Sequence, residues 1–288
     1  MNPNLPDLLA QTDRIMSGSN GWHPNPGLIL PSGAYRGALH VGVDLGTAYT
    51  VLMVLDENYR PIAGEYQFAE VVRDGLVVDF VGAVDLLRTM KSKAEQKLGI
   101  KLTSAATAYP PGVPQAEVRA TANVLEAAEL DCTGLIDEPT AANNVLKIRD
   151  GAIVDVGGGT TGIAIFEGGR AVYTADEPTG GTHFSLVIAG STGTTFEQAE
   201  ALKKDPREQA RLFPLIVPVM EKVGTIVRRH IDGHRVERIY LVGGTCAYPG
   251  MDQVVEEVTG VETVVPGNPL FVTPLGIAMH NTHQGPGA

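Results

Sequence analysis

Two short segments constrain this chain more than any others: Val41-Gly-Val-Asp-Leu-Gly-Thr47 and Ile153-Val-Asp-Val-Gly-Gly-Gly-Thr160. Each reads as a buried strand ending on an aspartate, then a glycine turn, then a second strand. The strand pairs are 41–43 with 50–55 and 152–156 with 163–166. Glycine in such a turn lets backbone N–H groups approach an anion, because no Cβ stands in the way. A carboxylate placed beside a phosphate calls for a bridging divalent cation, most often Mg²⁺. Because the unit occurs twice, the expectation is of two lobes facing each other across one nucleotide.

A competing motif lies inside the second segment, where Gly157, Gly159 and Gly162 satisfy the spacing G-x-G-x-x-G. That dinucleotide fingerprint requires a helix to open at the glycines. Here residues 162–173 alternate like a strand, turn at Gly168-Gly169 and return, which predicts a hairpin and excludes the dinucleotide reading. The chain also has no G-x-x-x-x-G-K-[ST] loop. A net charge of −11 argues against nucleic acid as a partner. No apolar run reaches the roughly 20 residues of a membrane span, and the N-terminus lacks the form of a secretory signal. Cys132 and Cys246, far apart in apolar surroundings, read as buried thiols of a cytoplasmic protein.

At 288 residues there is room for one large or two ordinary domains. Residues 1–16 predict a helix with Leu5, Leu8, Leu9, Thr12, Ile15 and Met16 on one face. It is either packed on the body or free to dock in a partner's groove. A linker containing Trp22 follows, and 1–38 form an N-terminal region. Lobe I is placed at 39–150, with a turn at Arg73-Asp-Gly75, helices over 81–98 and 115–128, and strands over 103–108 and 133–137. Glu138-Pro139 opens a further helix. Lobe II is placed at 151–267, with helices over 182–189 and 197–204 and strands at 238–242 and 261–265. A helical pattern over 207–231 carries Pro214 and Pro218, which predict a kink or a split. Residues 268–288 are expected to form a C-terminal helix returning to lobe I, followed by a tail. The alternation makes the chain α/β.

Five ordered segments resemble the actin-like ATPase superfamily (ribonuclease H-like duplicated lobes), and most closely its DnaK-type heat-shock branch. The two aspartate turns resemble its phosphate motifs, and Asp137-Glu-Pro-Thr-Ala-Ala142 its first connector. Ile239-Tyr-Leu-Val-Gly-Gly-Thr245 resembles the adenosine motif, and Asn268-Pro269 with Pro274-Leu-Gly-Ile-Ala278 the second connector. In length the chain is similar to an ethanolamine-utilisation family, chaperone-like proteins of bacterial microcompartment operons. Residues 73–79 also resemble MreB-type and pilus-assembly relatives.

The resemblance implies ATP and Mg²⁺ as cofactors. Asp44 and Asp155 would hold the metal, largely through water, and Glu138 would organise the metal and attacking water. Gly46, Thr47 and Ala48, with Gly157, Gly158, Gly159 and Thr160, would cradle phosphates. Gly243, Gly244 and Thr245 would lie along the sugar and base, with Glu221 and Lys222 flanking the adenine. It also implies protein clients or microcompartment shell proteins as partners, met by the lobes or by the N-terminal helix. Two departures bear on catalysis: Gly162 stands where heat-shock ATPases have a second aspartate, and neither Lys91 nor Lys93 has the context of their catalytic lysine. Phosphoryl transfer depends on charge placement, so slow hydrolysis is the expectation. The rival expectations are a nucleotide-binding scaffold of the cytoskeletal or pilus-assembly kind, marked by polymerisation on ATP, and a metabolite kinase, marked by stimulated ATP consumption. His230 and His234, four apart, read as a solvated helix end rather than a zinc pair.

Overall fold

The computed structural model describes residues 4–16, 35–73 and 75–281. Trp22 with its linker, and Asp74 of the expected turn, lie outside the described residues. The chain divides into two compact units. Of the described residues, one takes those up to Lys147 together with 271–281, and the other takes Ile148–Leu270.

In the first unit, helix α1 (Leu5–Met16) precedes strands β1 (His40–Leu45), β2 (Tyr49–Leu55) and β3 (Pro61–Phe68) and a short hairpin, β4 (Val72–Arg73) with β5 (Leu76–Val77). Helix α2 (Phe80–Leu98), strand β6 (Ser104–Tyr109), helix α3 (Gln115–Ala127), strand β7 (Asp131–Asp137) and helix α4 (Glu138–Leu146) follow. The sheet order is β3-β2-β1-β6-β7, antiparallel among β1, β2 and β3 and parallel from β1 through β6 to β7.

The second unit repeats this plan. It comprises β8 (Gly151–Val156), β9 (Thr161–Glu167), β10 (Arg170–Glu177), α5 (Gly181–Thr192), α6 (Phe196–Lys204), α7 (Pro206–Ile231), β11 (Arg238–Val242), α8 (Met251–Thr259) and β12 (Glu262–Val264). Its order is β10-β9-β8-β11-β12, with the same division into antiparallel and parallel pairs. Helix α9 (Val272–His280) belongs to the first unit. Residues 157–160 join two antiparallel strands, so no helix opens at the glycines and the dinucleotide reading is excluded on geometry.

Both faces of the first sheet are covered. Val41, Val43, Leu52 and Val54 pack with Leu87, Met90 and Ala94 of α2 and with Val124 and Leu125 of α3. Ala106, Ala108 and Ile136 pack with Ala141 of α4 and Ile277 of α9. Small residues make the second packing possible. A Cβ on Gly276 would stand 1.8 Å from the Ala141 carbonyl oxygen, and one on Gly42 2.4 Å from the Ala278 nitrogen. In the second unit Val154, Val156, Ile163, Ile165, Ile239 and Leu241 pack on Ile216, Met220, Val223 and Val227 of α7.

Three expectations change. Helix α7 runs unbroken for 26 residues through Pro214 and Pro218. The two prolines are four apart and both exposed. The lost hydrogen bonds therefore fall on the water side, while Leu212, Ile216, Val219 and Met220 keep the buried stripe intact. Cys132 is only half-buried, because β7 is the sheet's edge strand; Cys246 is buried. Strand β3 adds to the expected set; in the sequence Gly64 and Glu65 interrupt its pattern. Glu65 is buried against Lys97 of α2 at 2.6 Å, and Gly64 receives the thioether of Met16, with Cε 2.6 Å from where a Cβ would be.

That contact settles the placement of α1. Its apolar face (Leu8, Leu9, Thr12, Ile15 and Met16) is buried, and Gln11 donates to the Pro61 carbonyl at 2.9 Å. The helix thus covers edge strand β3, a usual way of protecting unpaired backbone groups. Leu9→Ala should cost about 2–4 kcal/mol in denaturant unfolding. Gly276→Ala should cost at least about 1–3 kcal/mol, because a backbone oxygen rather than a side chain blocks the new methyl.

Candidate functional site

In each sheet the parallel strands deliver their carboxyl-terminal ends to one edge, where ligands of α/β sheets collect. In the second unit that edge carries Asp155, buried and paired in register with Val242 of β11. Beyond it the chain turns through residues 157–160, closed by the Gly157 N–H donating to the Thr160 carbonyl at 3.0 Å.

Two further segments converge on this turn. Gly243 follows β11 with φ at +89°, and its missing side chain leaves room for the strand end: a Cβ there would lie 2.3 Å from Asp155 Oδ1 and 2.5 Å from the Val156 carbonyl oxygen. Positive φ and close approach both demand glycine here. Thr245 donates its hydroxyl to the Gly157 carbonyl at 2.7 Å. The start of α5 donates the Gly181 N–H to the Gly157 carbonyl at 3.0 Å and the Thr182 N–H to the Gly158 carbonyl at 2.8 Å. Cys246 lies buried beside this cluster. Burial first, and the Asp155 carboxylate second, push its thiol well up, so it stays neutral.

Behind the start of α5 sits a charge cluster that the sequence reading passed over. Lys203 Nζ donates to the Gly181 carbonyl at 3.0 Å and to Ser185 Oγ at 2.8 Å, and pairs with Glu200. Ser185 Oγ also donates to Glu200, and Lys204 reaches Glu200 at 3.1 Å. Burial lowers the Lys203 ammonium from its ordinary range. For Glu200, burial alone would raise the carboxyl, but the Lys203 charge and the hydrogen bonds from Lys203 and Ser185 outweigh it and hold it low. By contrast Glu221 and Lys222 are exposed on α7. The available signal was Ala199-Glu-Ala-Leu-Lys203, a buried alanine and an i,i+3 ion pair behind the Thr195 capping box.

In the first unit Asp44 is half-buried near the end of β1, opposite Val51. The Gly46 N–H donates to the Tyr49 carbonyl at 3.1 Å, closing the turn that contains Thr47 and Ala48. Asp137 ends β7 and caps α4 by accepting from the Thr140 N–H at 3.0 Å. Glu138 is therefore the first residue of that helix, half-buried at the same sheet edge as Asp44. Of the two candidate lysines, Lys91 donates to the Ala128 and Glu129 carbonyls at 3.3 and 2.9 Å, at the end of α3. Lys93 is exposed. His230 is bound to Tyr173 and Glu177 rather than simply solvated.

Comparison with known proteins bears on this geometry. Two family models match parts of the chain: cell division protein FtsA over residues 152–282 and MreB/Mbl protein over residues 63–196. Ethanolamine utilization protein EutJ of Salmonella typhimurium is 44% identical over 241 residues, which is 83% of this chain and 85% of that protein. The crystal structure of EutJ from Carboxydothermus hydrogenoformans matches with a TM-score of 0.86 and 42% identity, covering 96% of this chain and 100% of that one. The structure of MreB 5 of Spiroplasma citri bound to AMPPNP matches at TM-score 0.70 and 17% identity, covering 85% and 95%, a likeness of fold alone. The fold is α/β with two sheet-rich units of the actin and MreB type.

The Glu200 cluster makes a prediction about pH. A carboxyl held below its ordinary 4.5 when folded contributes stability that is fully present above that value and lost as pH falls through the lower, folded value. Glu200→Gln should therefore melt below the parent at neutral pH, with the gap closing as pH drops under about 4.5. Thermal melts across that range check it.

Proposed function

The chain belongs to the EutJ family of ethanolamine-utilisation proteins, and from that premise we propose that it works there as an ATP-binding, chaperone-like assembly factor. One observation carries the nucleotide part of this reading. The same strand order occurs twice, and each sheet places an aspartate and a glycine turn at its carboxyl-terminal edge. That MreB 5, a neighbour of the same fold, binds AMPPNP supports it.

The donor set fits Mg·ATP. Backbone packed as closely as at Gly243 and Gly46 leaves amide-lined turns free of side chains. In this reading Asp155 with the turn Gly157 to Thr160 in one unit, and Asp44 with the turn Gly46 to Ala48 in the other, would each supply a carboxylate for metal-bound water and backbone amides for phosphate oxygens, and Glu138 would orient water. Gly243, Gly244 and Thr245 lie along the nucleoside. Lys203, tied to the Gly181 carbonyl, steadies the start of α5 rather than meeting phosphate directly. The nucleotide supplies a difference in affinity between conformations, which shifts their populations.

Turnover in this reading is slow. Gly162 pairs with Asp155 across β8 and β9 without adding a second carboxylate, and Lys91 is occupied with α3. Clients are enzymes or shell proteins of the microcompartment, and they meet the body of the protein, since the apolar face of α1 is already covered.

A thermal melt with and without Mg·ATP tests the nucleotide site. At ligand about 100-fold above its dissociation constant, binding adds about 2.7 kcal/mol, a rise of several degrees in Tm that Asp155→Asn should abolish. The absence of any rise in the parent at millimolar ATP would overturn the reading.

A further inference from the structure

A second polar cluster lies where β10 meets the end of α7, apart from the glycine turns. Tyr173 and Glu177 stand on β10, and Arg229, His230 and His234 at or just beyond the last turn of α7. His230 Nε2 lies 2.8 Å from Glu177 Oε1, and His230 Nδ1 lies 2.6 Å from the Tyr173 hydroxyl. Arg229 also donates to Glu177, and the Tyr173 ring sits 5.3 Å from that of His234.

The chemistry fixes the direction of each bond. An ionised carboxylate only accepts, so Nε2 carries the proton towards Glu177. In the neutral ring Nδ1 then accepts, and Tyr173 O–H donates to it. Glu177 is ionised, because the hydrogen bond from His230 and the Arg229 charge lower its carboxyl despite partial burial. The His230 side chain is only 13% exposed, so the ring has little freedom to leave these partners.

What makes the cluster consequential is the chain that follows it. The Glu177 carbonyl accepts from the Thr179 N–H at 2.7 Å. The carbonyl of Thr179, itself buried, accepts from Thr161 Oγ1 at 2.6 Å. Next comes Gly180, where a Cβ would stand 2.7 Å from both the Gly157 and Gly158 carbonyl oxygens. Gly181 and Thr182 then donate to those same carbonyls. Five residues thus join the Glu177 carboxylate to the glycine turn after β8.

We propose that Tyr173, His230 and Glu177 form a positioning relay that holds the segment from Glu177 to Thr182 against that turn. Tyr173 engages the second ring nitrogen and holds the ring in place, His230 fixes the Glu177 carboxylate, and Glu177 sets where α5 begins. The Glu177 backbone also pairs with Thr161, the first residue after the turn, while the three side chains bond one another. In its bearing on nucleotide the relay rests on the reading above, but its effect on the turn does not require nucleotide.

The experiment is amide hydrogen exchange at Gly181 and Thr182 in the full chain without nucleotide, with Mg·ATP affinity measured beside it. His230→Leu should speed exchange at both amides about tenfold, as expected for losing a hydrogen bond to a charged group, and weaken Mg·ATP by a similar factor. His230→Gln should recover most of both effects, since its amide still donates to Glu177. Tyr173→Phe, which keeps the ring packing, should lie between. Unchanged exchange in β8 marks an intact fold, and if His230→Leu does not fold, Tyr173→Phe and His230→Gln decide. Exchange unaltered in the folded variants, or a loss in His230→Leu that glutamine fails to recover, would overturn the relay. A parent that binds no Mg·ATP would sink the nucleotide reading instead, leaving the exchange result to judge the relay.

Discussion

The carbonyl oxygen of Gly157 accepts two hydrogen bonds, from the Gly181 N–H and the Thr245 hydroxyl, and the second unit's site depends on that point. Three segments far apart in sequence meet there: the end of β8, the start of α5 and the turn after β11. A carbonyl has two acceptor lone pairs, and both are taken, so the turn cannot rotate without stranding donors in a partly buried place. The side chains around it are small because they must be. A Cβ on Gly181 would sit 2.4 Å from Thr245 Oγ1, and the Lys203 ammonium fills the space behind. The position of every proposed ligand group in this unit follows from how tightly those backbones close.

The first unit reaches a similar edge by other means. Its aspartate strand is backed by α9, whose approach is set by Gly42 and Gly276 rather than by a shared carbonyl. The two sheets therefore share a strand order while relying on different contacts to hold their turns.

Much of this was legible in the chain because the relevant signals are local. A strand ending on aspartate before glycines, a proline in the first turn of α4 and an alternating run after Gly162 each dictate their own backbone. The elements that were missed depend on tertiary surroundings. Strand β3 is hidden by Gly64 and Glu65, which make sense only once Met16 and Lys97 are opposite them. Helix α7 survives two prolines because both face water. Glu200 and Lys203 look like an ordinary helix-surface ion pair until α5 is packed on them. The Tyr173–His230 bond joins residues 57 apart, and nothing local distinguishes His230 from the solvated helix end that the spacing of His230 and His234 implies.

The division of the chain bears on the order in which it can be finished. The second unit is one uninterrupted stretch, Ile148–Leu270, whereas the first is split around it. A ribosome emitting this chain releases every strand of the first sheet early, yet Gly42 and Ala106 have no α9 to lie against until the whole second unit and then residues 272–280 have emerged. The second unit meets no such delay. The earlier-made sheet is thus the later one to close, and its bare face is what a growing chain must keep from straying contacts.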